Sequence, residues 1–166
     1  ERYRFKVGEI FRNSAYPQKD SVYLRSILRH NYDVSSAAFS PDGKYVATAS
    51  FDNTACIWDV ETGKLVTGPL KHGLWVHSVT FSPDGKSILT ASADSGVRVW
   101  NLESGKLTTE LFCNNNIVNS AAFSPDGRYI LAATSPMLDC NVYVWNAELG
   151  VIATNHTWHN YNDVNS

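Results

Sequence analysis

A chain of 166 residues, 43% hydrophobic and 18% charged, has the size and composition of one soluble globular domain with a real core. Its formal charge of −2 provides no global field for nucleic acid or anionic lipid, and no apolar run approaches the ~18 residues of a membrane-spanning helix. The cysteines, Cys56, Cys113 and Cys140, are too sparse for a disulfide framework and fit a reducing, cytoplasmic compartment.

Residues 1–21 come first and are the least regular. Tyr3, Phe5 and Val7 alternate with Arg4 and Lys6, the pattern of a strand with one wet face. Arg2, Arg4, Lys6 and Arg12 read as a solvated face, because no aromatic stacking platform accompanies them. The segment is either a linker or the worn remnant of an earlier repeat. From residue 22 the chain repeats. Phe39-Ser40-Pro41-Asp42-Gly43 returns at Phe81–Gly85 and at Phe123–Gly127, a step of 42 residues each time (81 − 39 and 123 − 81). A fixed period of this length marks stacked supersecondary units. In each copy Ser-Pro-Asp-Gly predicts a hairpin turn. Proline presets φ, aspartate braces the turn, and glycine takes the positive φ.

The predicted strands of the first copy cover 34–40, 45–50 and 54–59, with a fourth opening over 64–70. The second has 76–81, 87–92 and 97–101; the third has 118–123, 129–134, 142–146 and 151–154. The strands between turns are apolar on both faces, as in Ala55-Cys56-Ile57-Trp58. A strand wet on one side would alternate. Four short strands per repeat, buried on both faces, predict an all-β propeller of four-stranded antiparallel blades.

These units resemble the WD40 (WD-repeat) β-propeller family over residues 22–166. Trp58-Asp59 ends the third strand of the first copy, with Trp100-Asn101 and Trp145-Asn146 as counterparts. An aspartate stands six residues before each tryptophan: Asp52, Asp94 and Asp139. His30 and His72 precede two of the copies, and Thr48 and Thr90 stand four before the turn aspartate. The third copy departs from the pattern: Asn114 takes the histidine place, Ala132 the threonine place, and three residues are inserted in 134–138. The resemblance implies that His, Thr, Asp and Trp of one blade join by hydrogen bonds, a structural network of His30, Thr48, Asp52 and Trp58, of His72, Thr90, Asp94 and Trp100, and of Asp139 and Trp145.

A nucleophilic triad is the competing reading of His, Thr and Asp. Its recurrence in two copies with tryptophan attached favours structure, so no catalytic residue and no enzyme activity are expected. Metal ligation is equally unsupported: His156 and His159 form a lone His-x-x-His, with no Cys-x-x-Cys beside it. The glycines sit in turns, so no phosphate loop and no cofactor are expected. The resemblance further implies a top face lined by the residues flanking the first strand's leading valine and the one before the turn aspartate. Those are Asp33 and Ser35, Trp75 and His77, Ile117 and Asn119, with Phe51, Ala93 and Leu138. The expected function is a non-catalytic scaffold binding a protein or peptide partner through that face, with no nucleic-acid or membrane role. The alternative is the sensor or regulatory region of a larger multidomain signalling enzyme. Three clear blades, with a possible degenerate fourth, do not close a ring. Missing blades of a longer propeller, or self-association, are therefore expected.

Overall fold

A computed structural model describes residues 28–113, 115–135 and 142–153. The proposed blade remnant at residues 1–21, and Asn114, Leu138, Asp139, His156 and His159, lie outside the described residues.

Eleven strands and no helix form among the described residues. The first sheet runs in the order β1 (Val34–Phe39), β2 (Tyr45–Ser50), β3 (Thr54–Asp59), β4 (Leu70–Lys71). The second repeats it with β5 (Val76–Phe81), β6 (Ser87–Ser92), β7 (Gly96–Asn101) and β8 (Leu107–Phe112). The third holds β9 (Ile117–Phe123), β10 (Tyr129–Ser135) and β11 (Val142–Asn146), with a lone Trp145–Ile152 bridge where a fourth strand would lie. Each sheet is an antiparallel meander, and the three are propeller blades.

The Ser-Pro-Asp-Gly turns form as their chemistry dictates. Ser40 Oγ donates to Asp42 Oδ1 at 2.7 Å, the same carboxylate oxygen accepts the Lys44 N–H at 3.1 Å, and Gly43 sits at φ +71°. Gly85 and Gly127 repeat the left-handed φ at +70° and +72°, a conformation that costs a residue with a Cβ about 1–2 kcal/mol.

The fourth strand of the first blade differs from expectation. A continuous strand over 64–70 does not form; Leu65 bridges Trp58, and pairing resumes only at Leu70 and Lys71. Gly68 and Pro69 intervene, and proline has no N–H to give the ladder. The second blade has no such break.

The core lies between the blades. Ala47, Ala49, Ala55 and Ile57 of the first blade pack against Val76, Val79, Phe81, Ile88 and Trp100 of the second. Leu89, Ala91, Val97 and Val99 of the second pack in turn against Val118, Ala121, Ile130 and Trp145 of the third. Serines stitch the inner strands together: Ser36 Oγ accepts the Val79 N–H at 3.4 Å, and Ser78 Oγ accepts the Ala121 N–H at 3.2 Å. The two end faces lack this cover. Val34 and Phe39 are 50% and 69% exposed, whereas their equivalents Val76 and Phe81 are 0% and 7% exposed. At the far end Leu131 and Val142 are exposed where Leu89 and Val97 are buried.

Candidate functional site

Two sets of side chains sit at the end of the blades opposite the Pro-Asp-Gly turns. One is the polar network of each blade. In the first blade it forms a directional chain. Trp58 Nε1–H donates to Thr48 Oγ1 at 2.8 Å. His30 Nε2 lies 2.6 Å from the same hydroxyl and its Nδ1 lies 3.0 Å from Asp52 Oδ2. With Nδ1–H donating to the carboxylate, Nε2 accepts the threonine proton, and every ring nitrogen is satisfied. Asp52 also accepts the Asn31 N–H at 2.9 Å and the Thr54 hydroxyl at 2.6 Å. Burial alone would raise the Asp52 carboxyl pKa, but the bonds from Thr54, Asn31 and His30 outweigh it and hold it below the usual range.

The geometry is that of a hydroxyl–imidazole–carboxylate relay, yet it has no reacting atom to offer. Thr48 is buried and its oxygen already accepts the indole proton. The arrangement ties the top of β2 and β3 to the chain entering β1.

The second blade keeps Trp100 Nε1–H donating to Thr90 Oγ1 at 2.9 Å, but His72 reaches neither Thr90 nor Asp94. Arg98 stands between them. Its guanidinium donates to His72 Nδ1 at 2.8 Å, to Asp94 Oδ1 at 2.9 Å and to Glu110 Oε1 at 2.7 Å. An arginine can only donate, so the His72 proton sits on Nε2, which is buried and unpartnered. Burial, with the Arg98 charge adding to it and Asp94 opposing, lowers the His72 pKa to about 4. Burial would raise the Asp94 carboxyl, but Arg98 and the Gly73 and Gly96 N–H groups hold it low. Arg98 is a residue the sequence reading passed over. Its signal was present: one charge, between Val97 and Val99, in a strand otherwise apolar on both faces.

In the third blade the place of His72 falls to Cys113, not Asn114. Cys113 N–H donates to Ser95 O as His72 N–H donates to Asn53 O, because the connection before it is one residue shorter. Cys113, Ala132 and Trp145 belong to one apolar cluster, so apolar contact stands where the first blade has hydrogen bonds. Burial pushes the Cys113 thiol up to about 12. No group of three or more potential metal ligands forms among the described residues.

The other set is aromatic. Trp75, in the connection to β5, is 53% exposed, and its ring lies 5.2 Å from that of Phe51 in the β2–β3 turn. His77 meets the same Phe51 ring edge-on at 5.6 Å. A bulge brings this about. The β5–β6 register shifts between Val76 and Ser78, leaving His77 unpaired, and bulges re-aim side chains. Ser35 and Asn119 are skipped in the same way in β1 and β9. Ser35 turns its hydroxyl to the Val76 carbonyl at 2.6 Å, and Asn119 donates to Ser135. Asp33 is exposed, its carbonyl accepting the Phe51 N–H at 3.0 Å. Ile117 and Ala93 are half-buried. Phe51, Trp75 and His77 are thus drawn together, with Asp33 beside them.

Comparison with known proteins agrees with this geometry. The model of the family described as "WD domain, G-beta repeat" matches three times, at residues 21–59, 63–101 and 105–146. The chain is 39% identical over 51 residues to Ribosome assembly protein 4 of Saccharomyces cerevisiae, covering 31% of this chain and 10% of that protein. It is 45% identical over 38 residues to Protein tipD of Dictyostelium discoideum, covering 23% and 6% respectively. It is 40% identical over 47 residues to Small ribosomal subunit protein RACK1 of Saccharomyces cerevisiae, covering 28% of this chain and 15% of that protein. The matched segments therefore span a small part of each relative's length. With three in-phase copies matching, and each copy folded as a blade whose tryptophan closes the third strand, the chain belongs to the WD40-repeat family of β-propellers.

Proposed function

We propose that this chain is a non-catalytic, cytoplasmic interaction scaffold that docks a protein or peptide partner on the network end of its blades. The carrying observation is Trp75. Half of this large residue is open to water, and its ring leans on Phe51 at a tilt of 33° rather than packing into the core. Exposed aromatic anchors of this kind carry most of the energy at protein interfaces. Phe51, His77, Asp33, Ile117 and Asn119 complete the surface, with Leu138 as a further candidate outside the described residues. The end faces support a second part of the reading. Val34 and Phe39 await the cover that Val76 and Phe81 have, so further blades, in a longer chain or from a second copy, close the propeller. Light scattering tests that part: a compact monomer of the full chain with both faces exposed would count against it.

The docking face is tested with Trp75→Ala. The wild-type and variant chains are compared by affinity capture from cell extract and by thermal melt. The expected result is loss of specific captured proteins with a melt that moves little. A melt that falls with captured proteins unchanged would make Trp75 a packing residue and sink the reading.

A further inference from the structure

The first–second and second–third blade junctions are built from equivalent positions, yet at the Pro-Asp-Gly end they are filled differently. Matching backbone bonds fix the equivalence: Val60, Leu102 and Ala147 each donate to the residue after the turn glycine, Lys44, Lys86 and Arg128. In the first junction Tyr45, Val66 and Leu102 pack onto the core beside the buried Ile57. The corresponding residues of the second junction are Ser87, Thr108, Ala147 and Val99. All four are smaller. The prolines, the phenylalanines Phe81 and Phe123, and the acidic residues of the two junctions are unchanged in kind.

The lost bulk leaves a cleft of about 690 Å³ between the second and third blades. Its apolar walls are Val99, Phe123 and Ala147, and its carboxylates are Asp84, Asp126 and Glu148; no lysine or arginine among the described residues lines it. Lys86 and Arg128 follow the turns next to it, Arg128 lying 4.0 Å from Asp126. The contact of the turn glycine with the preceding blade is looser here too. A Cβ on Gly105 would lie 3.0 Å from Thr67 in the first junction, whereas one on Gly150 would lie 3.7 Å from Thr109 in the second. Trimming side chains in a packed junction costs stability. Deeper in the same junction the change runs the other way, Leu89 and Val97 standing where the first has Ala47 and Ala55, so the loss of bulk is confined to the Pro-Asp-Gly end.

We infer that this cleft is a second binding site, which takes an arginine side chain from a basic segment of a partner protein. The aliphatic stem lies along Val99 and Ala147, the guanidinium faces the Phe123 ring and pairs with the carboxylates. Arginine suits the space better than lysine because its planar fork both stacks on a ring and bonds carboxylates in pairs. The Ser82 and Ser124 hydroxyls, which donate to Asp84 and Asp126, help keep both carboxyls ionised at neutral pH. The site lies at the opposite end of the blades from Trp75 and does not depend on the docking face proposed above.

The test is an NMR titration of the ¹⁵N-labelled full chain with the capped pentapeptide Gly-Ala-Arg-Ala-Gly, against the same peptide with citrulline in place of arginine. Saturable shifts at the Ser87, Thr108 and Ala147 amides are expected with arginine alone, weakening as salt is raised. Refilling the cleft with Ser87→Tyr and Ala147→Leu, the residues of the first junction, should abolish those shifts and raise the melting temperature. Glu148 is exposed in a turn, so Glu148→Gln keeps the fold whatever the refilled variant does, and should weaken binding several-fold. Trp75→Ala should leave the titration unchanged. Equal shifts with citrulline, no shifts at these amides, or undiminished binding by Glu148→Gln would each overturn the inference.

Discussion

The first and second blades share His, Thr, Asp and Trp at the same register, and they wire them differently. Two neighbouring positions account for the change. The first blade has Thr54 and Cys56 where the second has Gly96 and Arg98. Thr54 gives its hydroxyl to Asp52. Gly96 keeps the N–H bond to the aspartate that Thr54 also makes but has no hydroxyl to add, and the space its missing side chain leaves is where the Arg98 guanidinium lies: a Cβ there would sit 2.6 Å from Nη1. Arg98 then supplies Asp94 with the proton that the threonine would have given, and takes His72 with it. A motif of four residues does not define a network. Its donors are set by the side chains that fill the gaps between them.

That contrast yields tests of decreasing size. Asp94→Ala leaves the mostly buried Arg98 beside a buried imidazole with only Glu110 to balance it, and losing one partner of such a pair costs about 3–4 kcal/mol. Denaturant titration should show a larger loss than for Asp52→Ala, which takes an acceptor from the His30 ring, the Asn31 N–H and the Thr54 hydroxyl but strands no arginine; equal losses would mean the arginine is not committed to Asp94. Acid comes next. The His72 pKa is depressed in the fold to about 4, so the stability tied to its neutral form is whole above the unfolded value of about 6.5. It drains as pH falls from there toward 4, reaching on the order of 3 kcal/mol. His72→Gln should flatten the stability–pH curve in that window. An unaltered curve would place the titrating group elsewhere.

A swap between the blades sharpens the comparison further. Gly96→Thr alone should cost about 2 kcal/mol by crowding Arg98. Gly96→Thr with Arg98→Cys, which rebuilds the first blade, should recover at least half of that. Additive losses in this double-mutant cycle would show that the two positions do not act together. The smallest effect belongs to Ser95, which holds φ +68° where the first blade uses Asn53 at +66°. Asparagine tolerates that region better, so Ser95→Asn should raise stability by about 0.5 kcal/mol, readable as a small rise in melting temperature.

Much of the architecture was legible because local chemistry and long-range burial agree. The Ser-Pro-Asp-Gly turns announced their hairpins, and Ala55-Cys56-Ile57-Trp58 announced a strand buried on both faces: the second blade covers Ala55 and Ile57, and Cys56 and Trp58 are buried as well. The failures are equally specific. Matching Asn114 to the histidine place assumed a constant period, whereas the shorter connection gives that place to Cys113. The break in the fourth strand of the first blade was written in Gly68-Pro69, but only pairing with β3 shows where the ladder resumes. At the network end, a valine at a strand's start did not reveal that Ser35, His77 and Asn119 are bulged residues. Only the third dimension shows that Ser35 is spent on a neighbouring carbonyl while His77 joins Phe51 and Trp75.

The repeat, the turns and the blades follow from the amino-acid order alone, because a turn's φ angles and a strand's two apolar faces are properties of residues close together in the chain. The wiring of each polar network, the grouping of Phe51 with Trp75 and His77, and the cleft between the second and third blades were decided by packing. They depend on which side chains, twenty to sixty residues apart, meet across a junction, and on the volume left when one of them is small.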